Sequence, residues 1–197
     1  MGTRNRTVAR DRLIAGAVEL MQRNGVAGTG IASLLEYSGV SRRSVYLNFP
    51  SGKSELIAAA TRTAGQAYSA LIRTVLAGAD LASCVAAFPG LWRETIIGSD
   101  FTAGCAIVAA ALGRHEAPEA ADAAGEIFTE WEAIVTEHLL AEHVEPALAR
   151  SLATTIIAAV EGAVVMSLAT QSVAPLERVA AQLSALVAQH TAAARTA

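Results

Sequence analysis

The chain has 197 residues, 53% of them hydrophobic and 17% charged, with a formal net charge of −3. A substantial core is within reach, in one large domain or two small ones packed together. No stretch of 18 or more apolar residues is free of a charge or a breaker, so no membrane span is expected, and the charged N-terminus lacks a signal-type apolar core. Cys84 and Cys105 have no CxxC spacing and read as free thiols of a reducing cytosol. The expected setting is soluble and cytoplasmic.

The modest net charge hides an asymmetry. Residues 1–56 hold eight Arg/Lys against four Asp/Glu, a net +4, which leaves −7 on the rest of the chain. A basic head on an acidic body suggests that one end meets a polyanion.

Residues 1–6 are polar and expected to fray. From Thr7, Leu13, Ile14, Ala17, Val18 and Met21 recur at helical spacing, which predicts a first helix over about 7–24 closed by Asn24-Gly25. A short second helix is predicted over about 31–37, with Ile31, Leu34 and Leu35 inward. Ser38-Gly39-Val40 then makes a tight turn in which Gly39 is free to take positive φ. Ser41 stands where an N-cap would, and a third helix must stop at Phe49, ahead of Pro50. On a helical wheel Val45 and Phe49 share one face, while Arg43, Ser44 and Leu47 gather on the other. A basic, hydroxyl-bearing outer face suits the major groove of DNA, although a solvated surface helix with ordinary arginines has the same pattern.

A fourth helix starts near Ser51–Lys53 and keeps its period to Gly78. Residues 81–97 read as a helix interrupted at Pro89-Gly90, and residues 102–113 as a small-residue helix buried all round. The next helix, over 116–143, carries Ile127, Phe128, Trp131, Ile134, Val135, Leu139 and Leu140 inward. Residues 147–170 are apolar on nearly every face. Pro175 opens the last helix, striped by Leu176, Val179, Ala180, Leu183, Leu186 and Val187. The fold class is all-α, about nine helices: a three-helix head over 1–56 with a helix-turn-helix, and a helical body over 57–197.

This layout resembles the TetR family of repressors. The match is carried by the striped first helix closed at Asn24-Gly25, by Ser38-Gly39-Val40-Ser41, Tyr46, Phe49-Pro50, Lys53 and Glu55-Leu56. More loosely, the body resembles the subgroup of lincomycin-resistance and flavonoid-responsive repressors, through Gly104-Cys105, Trp131, Glu161-Gly162 and the inserted Gly52. The resemblance implies that Arg42, Arg43 and Ser44 reach bases and phosphates, with Tyr46 on the DNA backbone and Lys53 on a phosphate; Leu47 and Asn48 complete the candidate DNA-binding set. It also implies a homodimer on a palindromic operator in double-stranded DNA, released by a small lipophilic or aromatic effector. No cofactor, metal or membrane partner is expected.

There are departures from the family pattern. The capping box of the second helix is absent, with Gly30 and Ser33 in its places, and Thr29 is open as a substitute cap. Leu47, usually polar or aromatic in the family, is expected either to touch a thymine methyl or to belong to the core of a rotated helix. Asn48 stands where histidine is common.

In the body, Phe88, Trp92, Phe101, Cys105, Phe128, Trp131 and Met166 are candidates to line an effector pocket, though each also reads as core packing. Glu161, Val165, Leu183 and Leu186 are candidates for the dimer interface. Glu161 is costly to bury alone, so it pairs across the interface, reaches solvent, or meets a ligand cation. His138 and His143 are five apart, a poor spacing for two metal ligands on one face, and His115 reads as solvated. HExxH, GxSxG and phosphate-loop signatures are missing, which leaves a protein-binding helical scaffold as the alternative to a DNA-binding regulator and an enzyme further behind.

Overall fold

A computed structural model describes residues 3–194, with side chains from residue 6 onward. Among the described residues there are nine α-helices and no strand: α1 Thr3–Gly28, α2 Ile31–Ser38, α3 Arg42–Asn48, α4 Lys53–Leu76, α5 Leu81–Gly98, α6 Ala106–Leu112, α7 Pro118–Ala141, α8 Pro146–Thr170 and α9 Ala174–Ala194.

Two compact units emerge. One holds the chain up to Ala67 together with Cys105–Ile127; the other holds Tyr68–Gly104 and the chain from Phe128 on. In the first, α1 packs on α2, α3 and α6. Leu13, Ala17 and Met21 of α1, Leu34 of α2, Val45 of α3, Leu56 and Ile57 of α4 and Ile107 of α6 are all buried. Backbones approach closely where glycine permits it. A Cβ on Gly65 would lie 2.3 Å from Ile127 Cδ1, and one on Gly113 would lie 2.5 Å from Val26 Cγ2.

In the second unit, α5, α8 and α9 pack together. Ile96, Ala163, Val164 and Leu176 form a buried cluster with Phe88, Trp92 and Phe101 against it. Trp131 donates its indole N–H to Ser69 Oγ at 3.1 Å, and the Tyr68 and Phe128 rings meet it edge-on. A buried indole N–H needs such a partner.

Several predicted elements differ. α1 begins at Thr3, so residues 3–6 are helical rather than frayed; Gly25, at φ 66°, breaks the helix and a last turn continues to Gly28. α5 runs unbroken through Pro89; proline forfeits one N–H bond to the preceding turn, a loss that a packed helix tolerates. α6 starts only at Ala106, because Asp100 and Phe101 both adopt left-handed φ and Ser99 ties the loop, donating to the Ile96 carbonyl and accepting from the Ala103 N–H. It is not buried all round, since Leu112 is exposed, and Leu140 of α7 is exposed as well. Thr29 does not cap α2: its hydroxyl donates to the Gly25 carbonyl, and Gly30 is the N-cap without a side-chain bond.

α8 is capped by Glu145, whose carboxylate accepts from the Ala147 and Leu148 N–H groups. By length and hydropathy alone it is apolar enough to cross a membrane, with 33% of its most apolar window buried. The sequence expectation required a stretch free of charges and breakers, and this helix contains Arg150 and Glu161. Among its exposed positions, Ala158, Gly162, Val165, Met166 and Ala169 fall on one apolar face at helical spacing.

Candidate nucleic-acid interface

The turn between α2 and α3 is built by one glycine and two hydroxyls. Gly39 takes φ 65°, closing α2 with its N–H on the Leu35 carbonyl. Ser38 donates to the Leu34 carbonyl and accepts from the Val40 N–H. Ser41 accepts from the Ser44 N–H at 3.2 Å, the N-cap bond that starts α3. At the other end Phe49 closes on the Val45 carbonyl at 2.8 Å, and Pro50 forbids continuation.

The result is a short helix held at both ends. Val45 and Phe49 are buried beneath it, and Arg42, Arg43, Tyr46 and Leu47 are exposed, with Ser44 and Asn48 half-buried. Leu47 is 53% exposed, so it is no part of the core. The amide of Asn48 is engaged within the helix, donating from Nδ2 to the Ser44 carbonyl at 2.8 Å. Beyond the helix, Gly52 (φ 77°) turns the chain, and Glu55 accepts from the Ser51 N–H at 2.9 Å to start α4. Lys53 Nζ donates to the Val26 carbonyl at 2.8 Å, anchoring α4 to the end of α1.

Sequence reasoning missed the part played by the start of α1. Arg6 Nη2 donates to the Leu47 carbonyl at 2.6 Å, and the Arg10 guanidinium lies 5.3 Å from the centroid of the Phe49 ring. A groove of about 280 Å³ runs between α1 and α3, with Arg6, Arg12, Ser41, Ser44 and Asn48 on its polar side and Val8, Ala9 and Leu47 on its apolar side. The available signal was the i, i+4 spacing of Arg6 and Arg10, which continues the helical period of α1 backward.

The body candidates belong to different groups of contacts. Phe88, Trp92 and Phe101 belong to the α5/α8/α9 cluster, Phe128 and Trp131 to the aromatic group with Tyr68. Cys105 is a buried cysteine in the first unit, outside any disulfide, and Met166 is exposed on α8. Of the interface candidates, Val165 is exposed, Leu186 and Glu161 are half-buried, and Leu183 is buried within the chain itself. Leu183 therefore supports α9 from beneath, a matter of phase that the stripe alone did not resolve. His115 is exposed, and His138 pairs with Glu142 at 3.3 Å.

An exposed basic helix on a Ser-Gly-Val-Ser turn, with nine helices among the described residues, is the arrangement of a helix-turn-helix transcriptional regulator. Comparison with known proteins agrees. Residues 13–60 match the family described as bacterial regulatory proteins, tetR family, and residues 81–182 match the C-terminal domain described as transcriptional regulator LmrA/YxaF-like. The chain belongs to the TetR family of DNA-binding transcriptional regulators, with an LmrA/YxaF-like C-terminal domain, and is not an enzyme. Among its relatives, the HTH-type transcriptional regulator Rv0196 of Mycobacterium tuberculosis is 29% identical over 185 residues, spanning 90% of this chain and 93% of the relative. LmrA of Bacillus subtilis is 25% identical over 170 residues, spanning 85% and 90%. A TetR-family regulator from Cytophaga hutchinsonii shares the fold at TM-score 0.80 and 21% identity, over 96% of this chain and 97% of that one.

Proposed function

We propose that this regulator is a repressor that binds a palindromic operator as a homodimer and leaves it when a small lipophilic or aromatic effector binds the body. The observation that carries the reading is the outward face of α3, where Arg42, Arg43, Tyr46 and Leu47 are exposed on a helix capped at both ends. Arg43 and Ser44 supply donors for base edges and phosphates, and Leu47 offers an apolar surface to a thymine methyl. Lys53 has one ammonium proton on the Val26 carbonyl, which leaves two for a phosphate.

The dimer is supported by the exposed apolar face of α8. Val165 and Met166 are 53% and 54% exposed there, flanked by Ala158, Gly162 and Ala169. A two-fold partner presenting the same face would cover it. The effector class is supported by the aromatic lining material in the second unit, Phe88, Trp92 and Phe101 around one cluster.

A footprint on the DNA flanking the protein's own gene tests the reading. The expected result is a symmetric protected site, lost in Arg43→Ala and released by an effector of the stated class. Failure to protect any palindrome would return the protein-binding scaffold to favour.

A further inference from the structure

The C-terminal end of α3 is completed by a side chain from another helix. The last carbonyls of any helix lack intrahelical donors, and α3 has no basic residue in its own last turn. Two of these carbonyls nevertheless find donors. Val45 is met by the Phe49 N–H at 2.8 Å, and Leu47 by Arg6, from 41 positions earlier in the chain, at 2.6 Å. One position before them the Asn48 amide donates to the Ser44 carbonyl at 2.8 Å. Only Arg6 brings a full positive charge, and it does so at the negative end of the helix dipole. Arg10, one turn further along α1, covers the Phe49 ring just past the same helix end.

We propose that Arg6 is a positioning residue for DNA recognition: its bond to the Leu47 carbonyl sets the pose in which α3 offers Arg43, Ser44 and Leu47 to the groove. The inference rests on the DNA-binding reading above. α3 has seven residues, too few to be stable without outside support. Its N-terminal end is fixed by Ser41 and its buried face by Val45 and Phe49. The far end, next to Leu47 and Asn48, has Arg6 as its charged anchor. Arg6 bonds to a carbonyl, so this hold does not depend on which side chain stands at position 47.

The test uses the full-length protein and its Arg6→Ala and Arg6→Lys variants. Amide hydrogen exchange without DNA reads the pose; titration of a duplex from the flanking DNA and of an unrelated duplex, over a range of salt, reads recognition. In Arg6→Ala, exchange over residues 45–49 should quicken roughly three- to tenfold, as expected on losing a charged hydrogen bond at an exposed helix end. Exchange in α8 should stay unchanged, which separates this loss from general unfolding. Preference for the flanking duplex should fall by a similar factor, with the slope of log K against log salt unaltered, and Arg6→Lys should restore both. Unchanged exchange over 45–49, with a slope reduced by about 0.9 and equal losses on both duplexes, would make Arg6 a plain phosphate contact and overturn the proposal. If the parent protein preferred no duplex at all, the DNA-binding reading would fail, and the role of Arg6 in recognition with it.

Discussion

Lys53 Nζ lies 2.8 Å from the carbonyl oxygen of Val26, so the first residue of α4 is tied to the last turn of α1. The side chain of that same Val26 lies against Gly113, where a Cβ would fall 2.5 Å from Val26 Cγ2. Lys53 therefore has a structural role as well as the role in phosphate contact that the family resemblance implies. Lys53→Ala should cost about 1 kcal/mol of stability, the low end for a charged hydrogen bond at a half-exposed site. It should also lower the salt slope of DNA binding by about 0.9. Thermal melts and salt titrations check the two losses separately, and a melt unchanged from the parent would refute the structural one.

Gly65 and Ile127 form the closest backbone approach of this kind in the first unit. A Cβ at 65 would stand 2.3 Å from Ile127 Cδ1 and 2.5 Å from Cγ1. Gly65→Ala should destabilise the protein by about 1–3 kcal/mol through overpacking. Ile127→Ala makes room for the added methyl, so the double variant should lose less than the sum of the two single losses. Strict additivity in denaturant melts would show that the clash is relieved elsewhere.

The buried bond from Trp131 to Ser69 gives a third measurement. Ser69→Ala leaves an indole N–H without its acceptor among rings that offer none, at a cost of about 1–3 kcal/mol. Near-ultraviolet circular dichroism should change at the same time, since Tyr68 and Phe128 pack edge-on to that indole. A neutral Ser69→Ala melt would mean that another acceptor replaces the hydroxyl.

Glu145 makes stability depend on pH at the start of α8. Its carboxyl is held below the usual range, chiefly by the Ala147 and Leu148 N–H groups it accepts from, with help from Arg150. A depressed folded-state value means that the carboxylate stabilises the fold above the ordinary glutamate range, and that this contribution is lost as pH falls through the lowered value. The gap in Tm between the parent and Glu145→Ala should therefore be full at neutral pH and close in acid. A gap independent of pH would assign the loss to helix propensity alone.

The recognition element was the most legible part of the sequence, because its punctuation is local. Gly39, Ser41 and Pro50 each dictate a backbone event within a few residues, and α3 begins and ends where they place it. Leu47 was ambiguous for the same reason that its exposure is informative: a wheel gives a side chain's bearing but not the phase of the whole helix. Arg6 was hidden because its partner is 41 residues away and is a carbonyl, which leaves no trace in residue type. The late start of α6 was hidden by Asp100 and Phe101, two residues with side chains that adopt the φ usually reserved for glycine. Leu183 and Val165 were grouped by apolarity, yet one supports the chain's own core and the other faces outward.

α6 packs on α1 inside the first unit, far along the chain from the helix-turn-helix it supports. The compact unit that holds the helix-turn-helix thus takes in residues 105–127 as well, beyond a fragment ending at residue 56 or 60. Expressed alone, such a fragment would expose the part of α1 that α6 covers and would be prone to self-association. A chimera exchanging operator preference between relatives must carry residues 105–127 with it, or graft only α3 and its turn. Substitutions on the buried side of α1 need an answering change in α6, a helix of the stretch that matches the LmrA/YxaF-like C-terminal domain.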